Sequence, residues 1–346
     1  MIEIDGAFGE GGGQLVRTAV ALSAVRRRPI RVVNVRARRR NPGLAPQHVA
    51  AVRAVASMCE AQCEGVEPHS TAFAFSPQRL RGGDYRVDVG TAGSITLVLQ
   101  AMLPAAVASG ERCRIRVRGG TDVRAAPPID YFAAVLLPLL ARLGVHAALA
   151  VERRGYYPKG GGEVRLEVAP AAALQPFAAP SPGAIERVDI LAHVGQLPRE
   201  IAARMALAAL QALPPALPVD SKVDALAADR AAGCGGAIVL RALTANTVLG
   251  AAEVAERGVR AERLGERAGA SLARDLRAGV TLDVHATDQM LVFLALASGE
   301  SRCVVRELSS HARTAMWLIE RLAGTRFETT AAAGGVGLRV LPAGAG

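Results

Sequence analysis

One stretch of this chain occurs twice and faintly a third time. The run Ala108-Ser109-Gly110-Glu111-Arg112-Cys113-Arg114-Ile115-Arg116-Val117 returns as Ala297-Ser298-Gly299-Glu300-Ser301-Arg302-Cys303-Val304-Val305-Arg306. A looser copy leads from Leu22-Ser23-Ala24-Val25 through Arg26, Arg27 and Arg28 into Ile30-Arg31-Val32-Val33-Asn34-Val35. Self-similarity on this scale confines a chain to architectures that repeat one supersecondary unit. Each copy reads as the end of an apolar helix, a tight turn and a strand alternating Arg with aliphatic residues.

The flanks repeat as well. A short strand and an Ala/Leu-rich helix precede each copy: Met1–Ile4 with Gln14–Ala24, Arg86–Val89 with Ser94–Ala108, and Leu282–Val284 with Asp288–Ala297. A second helix follows, at Pro46–Met58, Pro128–Leu143 and Ala312–Leu322. Closing strands include Ala147–Val151 with Glu163–Val168, and Phe327–Thr330 with Gly337–Val340. The expected fold is therefore α+β, with three β-α-β-α-β-β units around a common axis.

Val35 to Val117 spans 82 positions but Cys113 to Cys303 spans 190, an excess of 108 that must lie between units two and three. Ala178-Ala179-Pro180-Ser181-Pro182-Gly183 serves as an exit linker. Val188–Val194, a helix near Arg199–Leu213, Gly236–Ala242 and Glu262–Arg277 then make a small inserted α/β domain. The expected boundaries are 1–183 for units one and two, 184–277 for the insertion and 278–346 for unit three.

Aromatics are only 3% of the residues, so the core must come from Ala, Val and Leu. Apolar runs stop well short of the ~18 residues of a membrane helix, and the acidic start Met1-Ile2-Glu3-Ile4-Asp5 is unlike a signal peptide. A cytoplasmic placement is expected. The formal charge of +10, carried almost wholly by Arg, fits a polyanionic partner but equally a compositional bias. Of the five cysteines, Cys59 and Cys63 stand four apart on a helical run with no second pair at zinc spacing, so buried reduced thiols are expected.

Three loops carry candidate chemistry. Gly6-Ala7-Phe8-Gly9-Glu10-Gly11-Gly12-Gly13-Gln14 joins a strand to a helix and can aim backbone N–H groups at phosphate, with Glu10 as a cation ligand or a partner for Arg17. It is neither a P-loop nor a dinucleotide fingerprint, and a plain turn satisfies it too. Arg153-Arg154-Gly155-Tyr156-Tyr157-Pro158-Lys159-Gly160-Gly161-Gly162 reads as a hairpin, with nucleic-acid contact as the alternative. The third is a rim of matching loops. Arg36 and Arg38–Arg40 with Gln47 and His48 lie in unit one, Gly119-Gly120-Thr121-Asp122 in unit two, and Ser309-Ser310-His311 in unit three. A lone histidine is commonly a surface or capping residue, but His311 stands where its siblings carry turn residues.

These residues together resemble the RNA 3'-terminal-phosphate cyclase family. Arg154-Gly155-Tyr156-Tyr157-Pro158-Lys159-Gly160-Gly161-Gly162-Glu163-Val164 is the most specific match. Asp5-Gly6 through Gln14, Pro42-Gly43-Leu44, Arg81-Gly82-Gly83-Asp84-Tyr85, Ala92-Gly93-Ser94 and Gly119-Gly120-Thr121-Asp122 support it. The resemblance implies units similar to the C-terminal domain of a bacterial translation initiation factor, and a thioredoxin-like insertion. It implies ATP-dependent closure of an RNA 3'-phosphate to a 2',3'-cyclic phosphate, with His311 as the nucleophile that carries AMP. By the same resemblance, Gln100, Pro127, Arg17, His285, Ala286, Thr287, Asp288 and Gln289 bind ATP. Arg39 and Gln47 meet the RNA end, and Glu10 holds Mg2+ or another divalent cation. His285 stands where a tyrosine is expected, and Asn41 where relatives often carry Lys.

Two other classes stay in view. A non-catalytic relative acting in ribosome assembly would lack the histidine. A carboxyvinyl transferase is built from similar repeats but lacks the signature and the insertion. No membrane partner is expected, and a homodimer is compatible with the sequence.

Overall fold

The computed structural model describes residues 1–343. It is a mixed α+β structure with four small sheets. β1 (Ile2–Asp5), α1 (Gly13–Arg26), β2 (Ile30–Val33), α2 (Pro46–Cys59), β3 (Gln62–Glu64) and β4 (Phe73–Ser76) come first. Their sheet is ordered β1-β2-β4-β3, with β2 parallel to β1 and β4 antiparallel to both neighbours. β5 (Gly83–Asp88), α3 (Ile95–Ala108), β6 (Cys113–Gly119), α4 (Ile129–Tyr131), α5 (Leu137–Ala141), β7 (Ala147–Arg153) and β8 (Gly162–Val168) follow. Their sheet, β5-β6-β8-β7, has the same order and the same strand senses.

Next come β9 (Ile185–Gly195), α6 (Arg199–Ala212), β10 (Val219–Leu226), β11 (Gly235–Thr244), β12 (Val248–Val254) and α7 (Ala261–Ala278). They form a sheet ordered β10-β9-β11-β12. α6 and α7 pack on each other and on this sheet, around an apolar core of their own that includes Ile190, Met205, Leu240 and Leu272. The chain ends with α8 (Val284–Leu296), β13 (Ser301–Val305), α9 (Ser310–Ala323), β14 (Arg326–Ala332) and β15 (Gly335–Leu341), the strands ordered β13-β15-β14. One continuous core joins the first, second and last sheets, with α1 against α2, α3 and α9 and with α8 against α9. No helix among the described residues is long and apolar enough to cross a membrane.

Several local expectations are corrected. Leu282–Val284 is not a strand: Leu282 makes a single parallel bridge to Val305, and Asp283 ends the extended run by capping α8. A carboxylate that accepts the first free N–H groups of a helix starts it four residues earlier than the apolar pattern alone suggests. The helix expected over Pro128–Leu143 is broken into α4, a π-helical turn at Phe132–Leu136 and α5. Pro138 has no N–H to offer the preceding turn, and the ladder widens there. Cys63 lies on β3 rather than on a helix, and Cys63 and Cys234 are exposed, while Cys59, Cys113 and Cys303 are buried.

Candidate active site

β1 delivers the chain to the glycine loop, and the loop delivers it to α1. Gly9 lies at φ +57°, a conformation glycine adopts without strain, and no side chain there keeps it from Thr314 on α9. The Glu10 N–H donates to Thr314 Oγ1 at 3.2 Å, which fastens the loop along α9. Glu10 then folds its carboxylate over Gly12, into space that a Cβ would fill. The result sets Glu10 Oε2 3.1 Å from His311 Nδ1. The contact is off the hydrogen-bond axis, so Nδ1 stays buried without an aligned partner. Arg39 pairs with the same carboxylate and donates to the Glu10 carbonyl at 3.2 Å.

His311 occupies the first turn of α9. Ser309 caps that helix by accepting from the Ala312 N–H at 2.8 Å, and its hydroxyl donates to Asp288 Oδ1 at 2.6 Å. The imidazole is half-buried. Burial lowers its pKa and the nearby Arg17 and Arg39 charges add to that, outweighing the opposing pull of Asp288. The ring is therefore neutral at pH 7 and able to act as a nucleophile. Burial raises the Asp288 pKa against the Ser309 hydrogen bond, and burial lowers Arg17 to about 10.

His311 opens on a cavity of about 410 Å³, within the usual size range of small-molecule sites. Arg17 from α1, Gln100 from α3 and Pro127 from the loop before α4 line it. His285, Asp288 and Gln289 line it from α8. Gln100 Nε2 donates to Gln289 Oε1 at 2.6 Å, tying α3 to α8 across one wall. Of the other expected residues, Ala286 and Thr287 are buried in α8 and do not line the cavity. Gln47 opens α2 and also lies outside it, while Glu10 and Arg39 meet at its His311 end. His48 is buried, its Nδ1 accepting from the Ala45 N–H at 3.0 Å. Burial and the Arg17 and Arg36 charges hold its pKa down at about 3, so it is a neutral structural residue.

Sequence reasoning missed part of the wall. Ala252, Glu253 and Val254 of β12, with Glu256 beyond it, line the cavity from the β9–β12 sheet. β12 is an edge strand. The Ala255 N–H turns inward to the Gly236 carbonyl at 2.8 Å, whereas the Gly250 N–H turns outward to Asp283 Oδ2 at 2.9 Å. Antiparallel alternation then aims the backbone groups of Ala252 and Val254 outward too. Asp283 was also missed: its buried carboxylate accepts from Tyr131 Oη at 2.7 Å, from Gly250, and from the first N–H groups of α8.

Residues 8–329 match the sequence family described as RNA 3'-terminal phosphate cyclase. The chain belongs to that family. A cyclase of this description from Nitrosospira multiformis is 50% identical over 99% of this chain and 97% of its own length. One from Ignicoccus hospitalis is 43% identical over 93% and 92%, and one from Pyrococcus furiosus 39% identical over 97% and 96%. Among solved structures, the enolpyruvyl transferase NikO from Streptomyces tendae aligns at 13% identity with a TM-score of 0.27, over 99% of this chain and 65% of that one.

The cyclase signature around Arg154 has a structural role here. Arg154 reaches Asp122 Oδ2 at 3.3 Å and Asp130 Oδ1 at 2.8 Å, and His193 of β9 lies 3.5 Å and 3.4 Å from the same two carboxylates. Among the described residues this trio of Asp122, Asp130 and His193 is the one group of three metal-ligating side chains close enough to share an ion. The Arg154 guanidinium already stands among them and neutralises their charge, so the donor set does not suit a divalent cation. Tyr156 is buried against Gly195 and Gly235, whereas Tyr157 is 77% exposed.

Proposed function

We propose that this chain is an ATP-dependent RNA 3'-phosphate cyclase with His311 as its nucleophile. The observation that carries the reading is the half-buried, neutral imidazole at the N-terminus of α9, opening into a cavity with Arg17, Gln100 and Gln289. Helix N-termini and arginine favour phosphate, and Pro127 and His285 in the cavity lining suit a flat base. The outward N–H and C=O groups of β12 offer that base donors and acceptors.

With Glu10 beside Nδ1, Nε2 is the attacking nitrogen. It bonds to the α-phosphorus of ATP as the bond to pyrophosphate breaks. The RNA 3'-phosphate oxygen then displaces the histidine and takes the AMP. Last, the adjacent 2'-hydroxyl attacks the 3'-phosphorus, giving up its proton as AMP leaves. Arg17 and Arg39 oppose the negative charge that gathers at each phosphorus. Glu10 is paired with Arg39; were Arg39 to move onto the substrate phosphates, the freed carboxylate would hold Mg2+ together with those phosphates, and the ion would add charge neutralisation there.

The strand order and sense shared by the first two sheets, and matched in the last by β13-β15-β14 without the first parallel strand, support reading the three core sheets as copies of one unit, with 1–183 and 278–346 as the core. The separate apolar core of β9–β12, α6 and α7 supports 184–277 as an inserted domain of thioredoxin-like type. Labelling with ATP radioactive at the α-phosphate tests the assignment. Wild-type protein should retain acid-labile label and cyclise a 3'-phosphate RNA, and His311→Ala should do neither. Normal labelling of that variant would overturn the assignment.

A further inference from the structure

The function proposed above uses the glycine loop through Glu10 and leaves its aromatic residue unexplained. Phe8 is 38% exposed, which is unusual for a phenylalanine in a chain with so few aromatics. Its ring stacks on Trp317 of α9, centroids 3.8 Å apart and planes 16° from parallel. Arg321, one turn further along α9, places its guanidinium carbon 5.9 Å from the Trp317 ring centre.

The order along the helix matters. Loop residues Glu10, Gly9 and Phe8 meet His311, Thr314 and Trp317 in turn. Six positions of helix correspond to ~9 Å of rise, so the stacked pair lies one or two nucleotides from the imidazole. Arg38, Arg39, Arg40 and Arg313 are exposed on the loop and helix that border this stretch. An open aromatic face, fixed beneath by a second ring and bordered by arginines, has the parts that hold single-stranded nucleic acid: a stacking surface and cations for the backbone.

We propose that Phe8, backed by Trp317 and Arg321, is a stacking platform for a base within two nucleotides of the RNA 3' end. It orients the terminal phosphate toward the adenylated histidine. The inference rests on the cyclase reading. It assigns Phe8 a positioning role through the RNA and no part in the chemistry.

Trp317 is the only tryptophan in the chain, so its emission reports on the platform without a label. Titration of the wild-type protein with a short 3'-phosphate oligoribonucleotide should change that emission saturably. The same oligonucleotide made abasic at its last two positions should bind more weakly by about 5- to 100-fold, the range that one stacked base supports, and should leave the emission nearly unaltered. Phe8→Leu, which keeps an apolar contact to Trp317 but has no aromatic face, should lose RNA affinity in the same range, and Phe8→Tyr should restore it.

Equal affinity and equal emission change with intact and abasic RNA would overturn the platform, even if Phe8→Leu fails to fold. Wild-type labelling by ATP, which needs no RNA, separates the two levels. A protein that labels but shows no base-dependent signal loses the platform and keeps the cyclase reading. A protein that does not label loses the cyclase reading itself.

Discussion

Replacing His193 tests the buried charge cluster that joins β9 to the loop after β6 and to α4. Burial and the Arg154 charge both work against protonating this imidazole, but Asp122 and Asp130 outweigh them and its pKa is raised. The two carboxylates resist burial in turn, and Arg154 and His193 hold both below the usual carboxylate range. With His193 charged, two acids meet two bases. His193→Ala leaves two buried carboxylates on one guanidinium, and breaking a buried pair in this way costs about 3–5 kcal/mol. At ~2.1 cal/mol/K of unfolding entropy per residue, a loss of about 4 kcal/mol lowers the melting temperature by roughly 5 °C if all 346 residues melt together.

The pH dependence has a definite sign. A histidine whose folded pKa is raised stabilises the fold below its unfolded value of ~6.5, and that contribution disappears as pH rises through the folded pKa. His48 and His311 have lowered values, so their contributions are present above ~6.5 and lost as pH falls. The wild-type profile mixes both, and the informative quantity is the difference between wild type and His193→Gln. Melting followed by circular dichroism from pH 5.5 to 9 should show that difference largest at the acid end and shrinking toward the alkaline end. A flat difference, or a His193→Ala melt within a degree of wild type at pH 6, would refute the account.

Asp283→Ala should cost about 3–5 kcal/mol in denaturant unfolding, since it strands the buried Tyr131 hydroxyl and the Gly250 N–H and removes the cap of α8. Removing Arg38, Arg39 and Arg40 together should flatten the slope of log RNA affinity against log salt by about 2, near 0.7 for each single-strand phosphate contact; an unaltered slope would mark them as a solvated face. Excising 184–277 behind a short linker should give a core that melts without cooperativity, because Asp122 and Asp130 lose His193 and Asp283 loses the Gly250 N–H, and a sharp melt would show those contacts to be dispensable.

The sequence made the helices and most core strands legible because their apolar spacing is local. α1, α3 and α9 lie within two residues or so of the expected ranges, and the strand before each repeated turn was placed in the first two units. β10 and β12 were not found. β10 is an edge strand whose polar, mostly exposed residues follow the charged style of such edges, and Leu249-Gly250-Ala251-Ala252 in β12 has little β-propensity. The Leu282–Val284 error has a similar origin: two aliphatic residues around an aspartate read as a strand until the carboxylate is seen to cap a helix. The placement of Glu10 in the loop, His311 at a helix start and Arg17 one turn into α1 was legible. The cluster of His193 with Asp122 and Asp130 was not, since only tertiary contact gives its members a meaning.

The cavity is lined by β12 on one side of the chain's division and by α3 and α8 on the other, two bodies that each have an apolar core and meet through Val239 and Val248. A nucleotide seated there touches both bodies at once, so its binding energy also bears on whether they stay docked. By mass action, a ligand present at a hundred times its dissociation constant adds about 2.7 kcal/mol to the docked state over any state that parts the two. Substrate would then act as mortar: the linkers near 178–184 and 278–282 should resist proteases better in its presence, and the enzyme should be most fragile between turnovers, when the joint is empty.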